Sequence, residues 1–100
     1  MGYKIVWSPK AEQTFEKIIS YLEKKWTEKE IKHFIKETER VVHLLVQNPY
    51  VFRGSEKQQI HEVLITKHNL LLYQISKQNK RVELLVFFDT RQDPKKKKTK

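Results

Sequence analysis

The apolar positions of this chain change period twice. From Tyr3 to Trp7 they alternate, with Tyr3, Ile5 and Trp7 on one side and Lys4 and Val6 on the other, which is the two-residue repeat of a strand. Ala11, Phe15, Ile18, Ile19, Leu22 and Trp26 then recur at helical spacing, while Glu12, Glu16, Lys17, Glu23, Lys24 and Lys25 fill the opposite side. Ser8 and Pro9 suit the cap and first position of that helix. Thr27 followed by Glu30 has capping-box spacing and predicts a second helix with almost no loop between. Ile31, Phe34, Ile35, Val41, Val42, Leu45 and Val46 would form its inner face, and Asn48-Pro49 would end it.

Tyr50 to Gln58, with Arg53-Gly54-Ser55, reads as a loop. Three further strands are predicted over Gln59–Thr66, Leu70–Ser76 and Arg81–Phe88. Lys67-His68-Asn69 and Lys77-Gln78-Asn79-Lys80 join them, and both turns are far too short for parallel crossovers, so the three form an antiparallel meander. Uninterrupted alternation in the last strand would set Val82, Leu84, Val86 and Phe88 against Glu83, Leu85 and Phe87. A helix pair can cover one sheet face only. Leu70, Leu72, Leu85 and Phe87 therefore imply apolar surface on the other side, which a partner could use. The fold class is α+β, a single βααβββ domain with a two-helix hairpin on one face of a mostly antiparallel four-stranded sheet.

Charge changes this picture less than its total suggests. The chain carries 21 basic and 12 acidic residues, a net charge of +9. Five of the cations are Lys95, Lys96, Lys97, Lys98 and Lys100, so the body to Pro94 is only +4. The expected organisation is a domain over residues 1–94 and a disordered lysine tail over 95–100. That tail is a solvated end or an electrostatic arm for nucleic acid or an acidic partner. With no cysteine there is neither a disulfide framework nor a thiolate metal site. No apolar run approaches the ~20 residues of a membrane span. His33, His43, His61 and His68 show no metal-ligand spacing, so no metal or other cofactor is expected. His61 reads as an ordinary surface histidine, and Trp7 and Trp26 as core aromatics. Tyr50, Phe52 and Arg53, in a loop, are candidate anchors for a partner.

Taken in order, several pieces resemble the RelE/ParE family of type II toxins. They are Tyr3-Lys4-Ile5-Val6-Trp7-Ser8-Pro9-Lys10-Ala11, the helix pair, the Asn48-Pro49 stop, Leu71-Leu72-Tyr73-Gln74-Ile75, and Phe88-Asp89-Thr90-Arg91-Gln92-Asp93-Pro94. The resemblance implies that the first strand joins the sheet beside the last. It also implies a cytoplasmic, growth-inhibiting toxin of the kind that stabilises plasmids, neutralised by a cognate acidic antitoxin. Some members cleave mRNA on the ribosome and others poison DNA gyrase. The nucleases carry an Arg three residues before the third strand's Tyr, a second Arg after the last strand, and often a C-terminal Tyr or His. Matching Tyr73 to that Tyr puts Leu70 at the first Arg position, and Arg91 at the second. No Tyr or His follows Arg91. The resemblance therefore favours the ParE-like branch, acting on gyrase by binding and not as an enzyme, with Arg91 contacting target or antitoxin or pairing with Asp89 or Asp93. The alternatives are a ribosome-dependent endoribonuclease using Arg91, Lys67 and His68, and a non-toxic nucleic-acid-binding module.

Overall fold

A computed structural model describes residues 2–52, 54–55 and 60–91, with Gly54 and Ser55 described by their backbone alone. The elements are β1 (Lys4–Trp7), α1 (Pro9–Lys25), α2 (Glu28–Gln47), β2 (Gly54–Ser55), β3 (Ile60–Thr66), β4 (Asn69–Ser76) and β5 (Arg81–Asp89). The sheet order is β1-β5-β4-β3-β2. β1 runs parallel to β5, and every other pairing is antiparallel. The α+β architecture and the place of β1 are as the sequence and its resemblance imply. The addition is β2, where two residues of the expected loop pair with Ile60 and His61 and extend the sheet to five strands.

Local chemistry accounts for the helix ends. Ser8 Oγ accepts a hydrogen bond from the Ala11 amide at 3.0 Å, and Pro9 occupies the first turn of α1. Thr27 does not repeat this, contrary to the capping-box expectation. It caps α2 with no side-chain bond, and its carbonyl accepts from the Glu30 and Ile31 amides instead. The turn between the helices is so tight that backbone bonds begin α2 without help. At the far end the Asn48 amide reaches Leu44 O at 2.8 Å, and Asn48 Oδ1 accepts from the Tyr50 amide, turning the chain away.

The core lies between the hairpin and one face of the sheet. Ala11, Ile18, Leu22, Phe34, Val41 and Leu45 come down from the helices onto Val63, Ile65, Leu71, Tyr73, Ile75, Val82, Leu84 and Phe87. An aromatic cluster sits at its centre. Phe87 stacks on Trp7 at 5.4 Å, Phe15 stacks on Phe34 at 5.1 Å, and Phe15 meets Trp7 and Phe87 edge-on at 5.3 Å each. Such pairs contribute about 0.5–1.5 kcal/mol each beyond the burial of their area.

The alternation expected along β5 fails at one residue. Leu72 pairs with Val86 but Tyr73 pairs with Leu84, so Leu85 is an extra residue, a β-bulge. Val82 and Leu84 face the helices before it; Phe87 and Asp89 face them after it. Phe88 and Val86 therefore turn to the opposite face, and Phe87 is core. α1 covers the bulged edge. β1 reaches only as far as Leu84; beyond it Ser8 Oγ donates to Leu85 O at 3.1 Å, and the Phe87 amide donates to Thr14 Oγ1 at 3.0 Å. Helix side chains thus take over where the neighbouring strand stops.

Apolar surface does remain on the uncovered face: Leu70 and Leu72 lie there as expected, with Phe88 and Val86 in place of Phe87 and Leu85. Leu64, Leu70 and Phe88 form a row across three strands, with Leu72 and Val86 beside it. Leu64 is 60% and Phe88 48% exposed.

Candidate functional site at the hairpin tip

The turn between β3 and β4, the end of β5 and the tip of the helix hairpin meet at one corner of the molecule. A chain of polar contacts holds them together. Thr66 Oγ1 donates to Asn69 Oδ1 at 2.6 Å, and the His68 amide donates to Thr66 Oγ1 at 3.1 Å. Asn69, expected as a turn residue, opens β4 and is buried; its Nδ2 donates to Asp89 Oδ2 at 2.8 Å. Asp89 also accepts from Arg91, through the backbone amide at 2.7 Å and through Nη2 at 3.2 Å. The Arg91 guanidinium lies over the Trp26 ring, 5.0 Å from its centre. Tyr21 donates to the Arg91 carbonyl, and the Thr90 amide to His68 O.

A cleft of about 610 Å³ opens beside this chain, lined by Trp26, Glu30, His33, Phe34, Thr66, Lys67, His68, Asn69 and Arg91. Arg91, Lys67 and His68 therefore do come together. Arg91 is already engaged, because the Asp89 side chain is fully buried and its own is only 15% exposed. A buried carboxylate needs such partners to remain charged. Trp26 corrects an expectation: it is 45% exposed and serves as the platform for Arg91, not as a core residue. It is the last position of α1's apolar stripe, one residue beyond the helix, where the stripe has run past the sheet. Glu30 reads from sequence only as a capping-box residue and His33 only as a histidine without ligand spacing, so neither is expected in this cleft. Only their spacing of three on α2 places them on a common face.

The anchors proposed in the loop lie elsewhere. Tyr50 is 45% exposed and meets Tyr3 and His61 edge-on at 6.5 and 6.2 Å. Phe52 packs against the core, and Arg53 falls outside the described residues, as does the tail. This corner is near His61, at the opposite end of β3 from the cleft, roughly 17 Å away at the rise of a strand. His61 is not an ordinary surface histidine. Its ring stacks on Tyr73 at 5.2 Å, and its Nδ1 is buried with no hydrogen-bond partner among the described residues. Alternation itself puts His61 on the helix-side face with Val63 and Ile65; reading β3 as an exposed strand there is what misled. Tyr73 donates to Pro49 O at 2.9 Å, and burial pushes its phenol up to about 12.

An apolar groove of about 500 Å³ runs beside β1, between Trp7 and Phe15 and the Ile35, Val42 and Val46 side of α2. Among the described residues no cluster of three or more His, Asp or Glu could hold a metal ion, and no helix is long and apolar enough to cross a membrane.

The family described as "ParE toxin of type II toxin-antitoxin system, parDE" matches residues 5–94. No curated protein matches the sequence. Among solved structures, the YoeB/ParE toxin from Agrobacterium tumefaciens superposes with a TM-score of 0.63 at 12% identity, over 86% of this chain and 96% of that one. The YoeB-YefM complex from Staphylococcus aureus gives 0.55 at 15% identity, covering 85% and 93%. The conserved hypothetical protein HP0892 from Helicobacter pylori gives 0.53 at 17%, covering 89% and 96%. At these identities the likeness is one of fold.

Proposed function

This chain belongs to the ParE toxin family of type II toxin–antitoxin systems, and from that premise we propose that it arrests growth by binding DNA gyrase, not by cutting RNA. The supporting observation is the position of Leu70. It stands where the nuclease relatives carry their first arginine, and its cross-strand neighbours are Leu64 and Phe88. Arg91, at the second arginine position, is tied to Asp89 on the opposite side of the sheet. The two positions do not converge. Phosphodiester cleavage needs preorganised cations where charge develops on the phosphate, and this apolar row supplies none. What it does offer, together with the groove beside β1, is area for a protein partner.

The same reading includes neutralisation by a small acidic antitoxin, as the staphylococcal YoeB is found with YefM, inside the cytoplasm where gyrase works. The test is to induce the protein and follow plasmid supercoiling and mRNA 5′ ends in one culture. Gyrase-linked DNA breaks with intact mRNA are the expected result. Prompt cleavage of mRNA on ribosomes would overturn it.

A further inference from the structure

The excess charge of the domain sits at one place, the end of β4 and β5 away from the hairpin tip. Lys77 and Lys80 lie in the turn between these strands, Arg81 opens β5 and Lys4 opens β1; all four are exposed. Set them aside and the chain to Pro94 is neutral, with twelve basic residues against twelve acidic ones. None of the four forms an ion pair among the described residues. The nearest carboxylate along β5, Glu83, lies opposite Val6 and Gln74.

Folding does not ask for this arrangement. Lys4 and Arg81 stand directly opposite in the β1–β5 pairing, where like charges repel across about 4.8 Å of strand spacing. Lys80 holds φ at 51°, a left-handed conformation that glycine or asparagine adopts at less cost. The turn nevertheless fixes the cations in place. The Lys80 amide donates to Lys77 O at 3.3 Å and the Lys4 amide to Lys80 O at 2.9 Å, while Lys80 Nζ lies 5.9 Å from the centre of the Tyr3 ring. From Ser76 to Arg81 every side chain can donate a hydrogen bond and none is acidic.

Such a surface fits a run of phosphates, which accept from cations, amides and hydroxyls alike. An unpaired strand would also need bare aromatic faces on which its bases stack, and the Tyr3 ring already carries Lys80. A protein partner would need an apolar anchor inside the charged rim. On this face of the sheet the apolar row lies at the other end of the strands, at Leu64, Leu70 and Phe88. We propose that the β4–β5 corner holds the phosphate backbone of a nucleic-acid duplex, without regard to base sequence. That the duplex is DNA rests on the gyrase reading, but the contact is measured with no gyrase present, so either can fail alone.

The experiment titrates the full chain into a labelled DNA duplex of ~30 base pairs and reads anisotropy between about 50 and 200 mM salt. Lys4→Gln, Lys77→Gln and Arg81→Gln together should lower the slope of log affinity on log salt by about 2.7, at about 0.9 for each phosphate contact. The control combines Lys17→Gln, Lys24→Gln and Lys25→Gln, all exposed on α1. It has the same net charge and should leave the slope nearly unchanged. Both variants keep every cation after Pro94, so the difference between them reports the corner. Lys77→Gln alone, in an exposed turn, should lower the slope by about 0.9 and decides the matter if the triple variant fails to fold. The proposal is overturned if the corner and control variants bind the duplex alike. It is overturned equally if single-stranded oligo-dT binds as tightly as the duplex, or if polyglutamate displaces the duplex at equal charge concentration.

Discussion

The Asn69 side-chain amide donates to the Asp89 carboxylate at 2.8 Å, joining the first residue of β4 to the last of β5 in the same pairing in which their backbones lie opposite. Arg91 donates to the same oxygen, Oδ2, through Nη2 and to the other, Oδ1, through its backbone amide and Nε. The ion pair is therefore part of the fold's construction before it is anything else. Arg91→Ala should destabilise the protein by about 3 kcal/mol, since it strips a partner from a buried charge. Lys67→Ala, in the exposed turn that lines the same cleft, should stay within ~0.5 kcal/mol. Urea denaturation of both variants checks this. Equal midpoints would mean that Arg91 is free for other work, and only then could a loss of toxicity in Arg91→Ala be read as loss of a target contact.

The bulge at Leu85 makes a sharp contrast between adjacent phenylalanines. Phe87 is buried against Trp7 and Phe15, while Phe88 is 48% exposed on the open face. Phe87→Ala should cost about 3–5 kcal/mol, and Phe88→Ala less than about 1 kcal/mol. Thermal melts of the two would reverse that order if β5 alternated without interruption.

Tyr73 makes the fold sensitive to alkali. Burial holds its phenol at about 12, above the usual 10. Above pH 10 the unfolded chain ionises at this position and the folded chain does not. Stability contributed by the neutral phenol is thus complete below pH 10 and is lost as pH rises toward 12, by on the order of 2 kcal/mol. In Tyr73→Phe this pH-dependent loss should be missing. The variant should be less stable at neutral pH by about 1 kcal/mol, because Pro49 O loses its donor. Chemical denaturation at pH 8, 10 and 11 separates the two effects.

The lysines after Pro94 carry no apolar atoms beyond their stems, and the described packing closes at Arg91. Deleting residues 95–100 should change stability by no more than ~0.5 kcal/mol, as read by thermal melts. A larger loss would show that the segment docks on the domain.

Where sequence and structure agree, the reason is periodicity. The stripe Ala11–Ile18–Leu22, the stripe Phe34–Val41–Leu45 and the alternation Leu71–Tyr73–Ile75 each carry one face without a break, so element type and orientation could be read directly. Where they part, one residue has shifted the count. Leu85 is an ordinary strand residue by type, and only its pairing shows that it is surplus. Trp26 has the spacing of a core residue but sits past the end of its helix. The candidate site was legible in part. Lys67, His68 and Arg91 are brought together by the short β3–β4 turn and its bond to Thr90, whereas Glu30 and His33 arrive from the other end of the chain. Nothing in local spacing announces a meeting of that kind.

The surplus residue in β5 also decides which one-residue changes the strand can absorb. Removing Leu85 leaves Leu84 opposite Tyr73 and Val86 opposite Leu72, so pleating becomes regular while Phe87 and Asp89 keep the helix-side face. The loss falls on the edge toward α1, where Ser8 Oγ gives up its bond to Leu85 O. Keeping Leu85 and drawing it into regular pairing does the opposite. Phe88 then swings inward in place of Phe87, and Asp89 turns to solvent, away from Asn69. Arg91 would have no buried anion to hold it over Trp26, and the cleft would lose a wall. The aromatic core and the hairpin-tip cleft, which share no side chain of β5, are set by a single count along the backbone. Deleting the one residue that the count leaves over should spare both.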